Sequence, residues 1–250
     1  MKNSFKFTFN TVFLAALILL IAVNIFDVAT GDVSLMKTTM PLFIPVFLTL
    51  FFIKYSYLGI AFMSFLLFSF LGDISFVLFP EEILMEASSV LHTLSFFYLI
   101  LMIAPNLEFF KVDKIIAAYL LFVFGISLYF LFTICSLLSE IIPNRTEVLL
   151  YGMKSFALIV LTFVSFGVYL YTQTKQSILF FIAVVFFGMS VMLNYVIVYY
   201  SYSWVLELLQ GILYGVALFV VFKYVMNNAA VKEPRSIELK RNYFSDTIWS

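Results

Sequence analysis

Residues 58–79 read LGIAFMSFLLFSFLGDISFVLF, an apolar run broken by a single charge at Asp73. At a rise of about 1.5 Å per residue, a helix of this length crosses a hydrocarbon core about 30 Å thick. The run is continuous and lacks the alternation of a membrane-barrel strand. Backbone groups in lipid must also be satisfied within the segment, so the run predicts a membrane-spanning helix. Working outward, similar runs recur at 9–26, 38–53, 87–104, 115–138, 148–172, 178–200 and 205–226. The hydrophobic share is 64% and the charged share 11%, whereas soluble domains sit near 45–50% and about 25%. The expected fold class is an all-α polytopic transmembrane bundle of about eight helices.

Two runs carry exceptions. The second contains Pro41 and Pro45 and predicts a kinked or partly re-entrant start. The first follows Lys2 and Lys6 as a signal peptide would, but it is longer than an ordinary signal core and no small-residue cleavage site follows, so it reads as a span. Orientation follows from Lys and Arg, which mark cytoplasmic loops. With eight spans one side collects 11 of the 14 basic residues, and the other holds only Lys37, Arg145 and Lys154. Both termini are then cytoplasmic, and the opposite face carries Asp27, Asp32, Glu81, Glu82, Glu86, Glu140 and Glu147. Residues 1–226 form the bundle, and 227–250 read as a flexible basic cytoplasmic tail able to touch anionic lipid.

Composition and motifs exclude more than they assign. Net charge is zero, so no basic field points to nucleic acid. There is no P-loop, GxGxxG after a strand, HExxH, CxxC or GxSxG. One His and one Cys are too few for a His/Cys metal cage, and Asp73, His92 and Glu207 are a weak oxygen-and-imidazole set, so no metal or other cofactor is assigned. No internal repeat supports an inverted-repeat transporter.

Polar residues inside the spans carry the information, because ionisable groups in a bilayer are costly. Counting along each run puts Asp73 and His92 at one depth, about six residues from the non-cytoplasmic surface. Asn24, Lys154, Asn194, Glu207 and Gln210 fall within one or two turns of that layer. Ser69 with Asp73, Ser190 with Asn194, and Glu207, Gln210 and Tyr214 repeat at helical spacing, so each set shares a face directed inward. The cytoplasmic halves are almost wholly Phe, Leu, Ile and Val, which predicts a one-sided pocket and not a through-path. Plainer readings stand beside these. A buried Asp–His pair can simply fix helix register, Lys154 can snorkel to the interface, and Gly211 with Gly215 reads as a packing motif. Asn24 reads as a solvated helix end, and Cys135 as core or lipid-facing.

The Gly72-Asp73 pair late in the third span, with His92 on the next, resembles the YhhN-like lysoplasmalogenase family of eight-helix membrane proteins. Lys37 ahead of the second span, Tyr151 early in the sixth and Gln210 in the eighth match further family positions, over about residues 10–226. The departures are specific. Asn194, after Leu193, stands where the family has the Asp of a Ser-Asp pair, Thr38 where it has Pro, and Ser95 where it has Tyr.

The resemblance implies hydrolysis of the vinyl-ether bond of a lysoplasmalogen to a fatty aldehyde and a glycerophospho-head group. That chemistry needs an acid to protonate the β-carbon and a water to capture the resulting oxocarbenium-like cation. It implies Asp73 as acid, His92 as holder of the water and Asn194 in the place of the second carboxylate. Gln210 and Tyr151 would orient the substrate, and Lys37 and Lys154 would face its phosphate. The implied partners are a membrane lipid substrate and the bilayer, with a homo-oligomer compatible. The implied location is the bacterial plasma membrane, as a multi-pass protein. The alternative is a non-catalytic lipid or small-molecule binder, or a proton-coupled carrier.

Overall fold

The computed structural model describes residues 9–30, 33–55, 58–78, 82–107 and 114–246, while the side chains of 9–10, 27–30, 33–39, 76–78, 82–85, 116 and 229–246 lie outside the described set. Among the described residues the chain is all-helical. Its eight α-helices are α1 (Phe9–Thr30), α2 (Val33–Lys54), α3 (Ile60–Leu78), α4 (Glu82–Ile103), α5 (Lys114–Ile141), α6 (Arg145–Thr172), α7 (Lys175–Tyr199) and α8 (Trp204–Asp246). Five are long and apolar enough to cross a membrane: Glu86–Asn106, Ala117–Ile141, Arg145–Thr172, Lys175–Tyr199 and Trp204–Asn228. Thr11–Phe26, Met40–Lys54 and Ile60–Ser75 are shorter apolar stretches. The chain is therefore a multi-pass helical membrane protein.

Local chemistry sets the turns. Asn144 caps α6 by accepting from the Thr146 backbone N–H at 3.0 Å, and its side-chain N–H donates to Glu86 Oε1 at 3.0 Å, joining the starts of α4 and α6. Between α6 and α7, Gln173 takes a left-handed conformation at φ 48°, and Thr174 and Ser177 then form a reciprocal capping box. The second span is helical through both Pro41 and Pro45. Each proline leaves the carbonyl four residues earlier without its amide donor, which membrane helices tolerate through local adjustment; separately, the Thr49 hydroxyl donates to the Pro45 carbonyl at 2.7 Å. The stretch expected as a tail from 227 begins as a continuation of α8, which runs on to Asp246.

The helices close a ring in the order α1, α2, α3, α4, α6, α7, α8 and back to α1, with α5 packed outside against α6. Short connections alternate their direction. The Tyr199 hydroxyl, ending α7, thus meets Glu147, starting α6, at 2.7 Å. Glu86, Glu140, Glu147 and Glu207 mark one end of the bundle, which we call the acidic end; Lys54, Lys114, Lys175 and Lys223 mark the other.

Toward the basic end the ring is filled by phenylalanine. The Phe222 ring lies 5.8, 5.6, 6.1 and 5.1 Å from those of Phe13, Phe47, Phe51 and Phe62, tying α8 to α1, α2 and α3. In lipid, where apolar burial gives little drive between helices, such van der Waals interlocking and close backbone approach hold the bundle. Gly215 supplies the approach, since a Cβ there would collide with the Phe43 ring of α2.

Candidate functional site

The acidic half of the ring holds Asp73, His92, Asn194 and Gln210. Asp73, only 9% exposed, lies late in α3. Its Oδ2 accepts a hydrogen bond from the Tyr214 hydroxyl of α8 at 2.6 Å, and its Oδ1 lies 3.4 Å from His92 Nε2 of α4. Ser69, one turn before Asp73, brings its hydroxyl beside that of Tyr214. Three helices thus converge on one carboxyl group, and the shared depth expected for Asp73 and His92 becomes a direct contact.

Gly72 makes that contact possible. A Cβ at Gly72 would lie 3.0 Å from His92 Cδ2 and Nε2, so the imidazole packs on the bare backbone of α3. Two hydroxyls fix the surroundings: Ser88 donates to the Gly72 carbonyl at 2.8 Å, and Ser95 to the His92 carbonyl at 2.8 Å. The first ties α4 to α3 beside the acid, and the second satisfies α4 itself. Phe187 closes the cluster toward the basic end, its ring 5.9 Å from Tyr214, 6.0 Å from Phe65 and 6.1 Å from Phe96.

Asn194 and Gln210 form a second pair on the same α8 seam. Gln210 Nε2 donates to Asn194 Oδ1 at 3.3 Å, and the Ser190 hydroxyl donates to the Gln210 carbonyl at 3.2 Å. Gln210 is one turn before Tyr214, so this pair and the Asp73 cluster share a face of α8. Asn194 serves as an acceptor, the part a carboxylate would also play, without the charge.

Tyr151 and Lys154 belong elsewhere. Tyr151 packs with Leu138, Ile142 and Tyr195 in a separate cluster between α5, α6 and α7, its ring 5.1 Å from Tyr195 and 6.4 Å from Tyr199. Lys154 Nζ stands over the Tyr151 ring at 6.0 Å, a cation–π arrangement. Lys154 is half-buried, and Leu161, seven residues on along the same helix face, is fully buried. Among the described residues no carboxylate lies within ion-pair distance of Lys154. Lys37 lies on α2, but its side chain is outside the described residues.

One expectation changes. Asn24, read as a solvated helix end, is 4% exposed and packs against Gly211, whose missing side chain makes the room. Asp73, His92 and Glu207 do not gather into a metal-binding group of three among the described residues. Glu207 lies in the first turn of α8 and engages the Tyr202 hydroxyl in the preceding loop, which together with partial burial holds that phenol above its ordinary range.

The residue that sequence reading left out of the site is Tyr214. Its spacing from Gln210 was the available signal, but only packing shows that the hydroxyl ends on Asp73. Comparison of the chain with known protein families, with curated proteins and with solved structures finds no match.

Proposed function

We propose that this protein is a divergent member of the YhhN-like lysoplasmalogenases, an eight-span hydrolase of the bacterial plasma membrane with both termini cytoplasmic. The observation that carries the reading is the buried Asp73 carboxyl held between the Tyr214 hydroxyl and the His92 imidazole. Tyr214 fixes Oδ2 and leaves Oδ1 as the atom facing His92. Asp73 delivers a proton to the β-carbon of the vinyl ether, and the resulting oxocarbenium ion lies beside the carboxylate that remains. His92, within reach of the same oxygen, holds the water that adds to the cationic carbon, takes up its proton and returns that proton to Asp73. The hemiacetal then collapses to aldehyde and the free hydroxyl of the head group, with no net consumption of acid.

The other residues fit supporting parts. Asn194 and Gln210 orient water or head group by hydrogen bonds, and Lys154, its Nζ over the Tyr151 ring, offers its charge to the lipid phosphate. The phenylalanine-filled basic half supports a pocket entered from one side, and so a hydrolase over a carrier.

The test is aldehyde release by the purified protein from a lysoplasmalogen, set against an ester-linked lysolipid. The reading predicts aldehyde from the vinyl ether alone and a loss of about a hundredfold or more in Asp73→Asn, the usual scale of acid–base catalysis. No aldehyde from the wild type would leave a lipid-binding protein or carrier.

A further inference from the structure

At the basic end of the bundle a cleft of about 250 Å³ lies between α1 and α8, lined by Thr11, Phe13 and Leu14 of the first helix and Phe219, Lys223 and Met226 of the second. Its floor and its rim differ. Phe13 and Met226 are buried and close it from inside, where the Phe13 ring rests 5.6 Å from Phe47 and 5.8 Å from Phe222. Thr11 and Leu14 are exposed, so the mouth opens on the outer surface of the ring, which in a membrane faces lipid.

Depth decides what meets that mouth. Thr11 begins the apolar stretch of α1, and Lys223 stands five residues before Asn228, where the apolar span of α8 ends. Five residues of helix are about 7.5 Å, a distance over which a half-buried lysine lays its stem on apolar surface and carries its ammonium toward the interface. The cleft therefore runs from head-group level into hydrocarbon. Charge around it has one sign. Residues 1–26 contain Lys2 and Lys6 and no acid, and the first acid beyond Lys223 on α8 is Glu233, ten residues on. Four of the six lining side chains are apolar, and the volume is below the roughly 300 Å³ that encloses a drug-sized ligand. Such a space suits part of an acyl chain that continues into the bilayer, with an anionic group at its upper end.

We infer that this cleft binds an anionic phospholipid, one acyl chain lying along Leu14, Phe219 and Met226 and the phosphate meeting Lys223. The bound lipid bridges α1 to α8. The site is separate from the Asp73 cluster, because Tyr214 precedes Lys223 by nine residues, about 13.5 Å along α8. It does not rest on the hydrolase reading, since a carrier or binding protein with this cleft would hold the lipid equally.

The experiment is native mass spectrometry of the full-length protein in detergent with equimolar dioleoylphosphatidylglycerol and dioleoylphosphatidylcholine, which share their chains and differ in net charge. We expect the first bound phosphatidylglycerol to be favoured about fivefold, the scale of one lysine beside an anionic lipid. Lys223→Gln should remove most of that preference and Lys223→Arg should keep it. Lys114→Gln, at the same end but on α5 outside the ring, should leave it unchanged. Equal binding of the two lipids, or a preference undiminished in Lys223→Gln, overturns the site. Equal losses in Lys223→Gln and Lys114→Gln also overturn it, by tracing the preference to a diffuse basic surface. Should Lys223→Gln fail to fold, the wild type decides: dioleoylphosphatidic acid should displace phosphatidylglycerol and glycerol phosphate, which has no chain, should not. Displacement by glycerol phosphate contradicts the part given to the cleft. Asp73→Asn should bind as the wild type does, and a loss there would put the lipid at Asp73 instead. Neither diacyl lipid carries a vinyl ether, so absence of aldehyde release in the earlier assay leaves this comparison intact.

Discussion

The Tyr214 hydroxyl donates to Asp73 Oδ2 at 2.6 Å, joining residues 141 positions apart across the contact of α8 with α3. The bond sets which carboxyl oxygen faces His92. Tyr214 is a positioning residue, so Tyr214→Phe should lower kcat about tenfold while changing KM by less than about threefold, the loss of one charge-assisted hydrogen bond worth ~1.5–3 kcal/mol. A fall in KM-limited binding with unchanged kcat would place Tyr214 against substrate instead.

Gly72 is the second testable position, because its Cβ would sit 3.0 Å from the imidazole of His92. Gly72→Ala should displace the ring from Asp73 and cost at least tenfold in activity while the protein remains monodisperse. Gly59→Ala, where nothing lies within 4 Å, is the control and should be silent. Equal effects of the two would deny the imidazole its place in catalysis.

Asn194 presents Oδ1 to Gln210 Nε2 at 3.3 Å, and aspartate offers an acceptor at the same atom. Asn194→Asp should therefore fold normally and raise the rate of aldehyde release, by restoring a negative charge near the developing cation. A variant that folds but cleaves more slowly would show that the neutral amide suits this chain's chemistry.

Gly215 tests the packing of the bundle apart from its chemistry. A side chain there meets the Phe43 ring, so Gly215→Ala should cost about 1–3 kcal/mol and lower the thermal midpoint in detergent. Gly125→Ala on α5, with nothing within 4 Å, should leave the midpoint unchanged.

Much of this architecture is legible in the sequence because lipid leaves so few options. The apolar runs predict helices that the structure places within a few residues, apart from the far end of α8, which runs on to Asp246, and counting along them brought Asp73 and His92 to one depth. Depth is only one coordinate. It does not give rotation about the helix axis or the order of neighbours, so the partnership of Tyr214 with Asp73 and the exclusion of α5 from the ring emerge only from packing. The same limit explains Tyr151 and Lys154: they lie near the right layer, but Tyr151 turns toward Tyr195 and Tyr199. Asn24 looked solvated because Asp27 follows it by one turn, whereas Gly211 on a distant part of the chain decides its burial.

The central claim is that Asp73 protonates the β-carbon of a vinyl ether, and the most direct measurement is the mass of the aldehyde released from a lysoplasmalogen in D2O. The account predicts an aldehyde carrying one deuterium, on the carbon next to the carbonyl, with its formation nearly abolished in Asp73→Asn. An aldehyde without that deuterium, or release at the wild-type rate from Asp73→Asn, would contradict it.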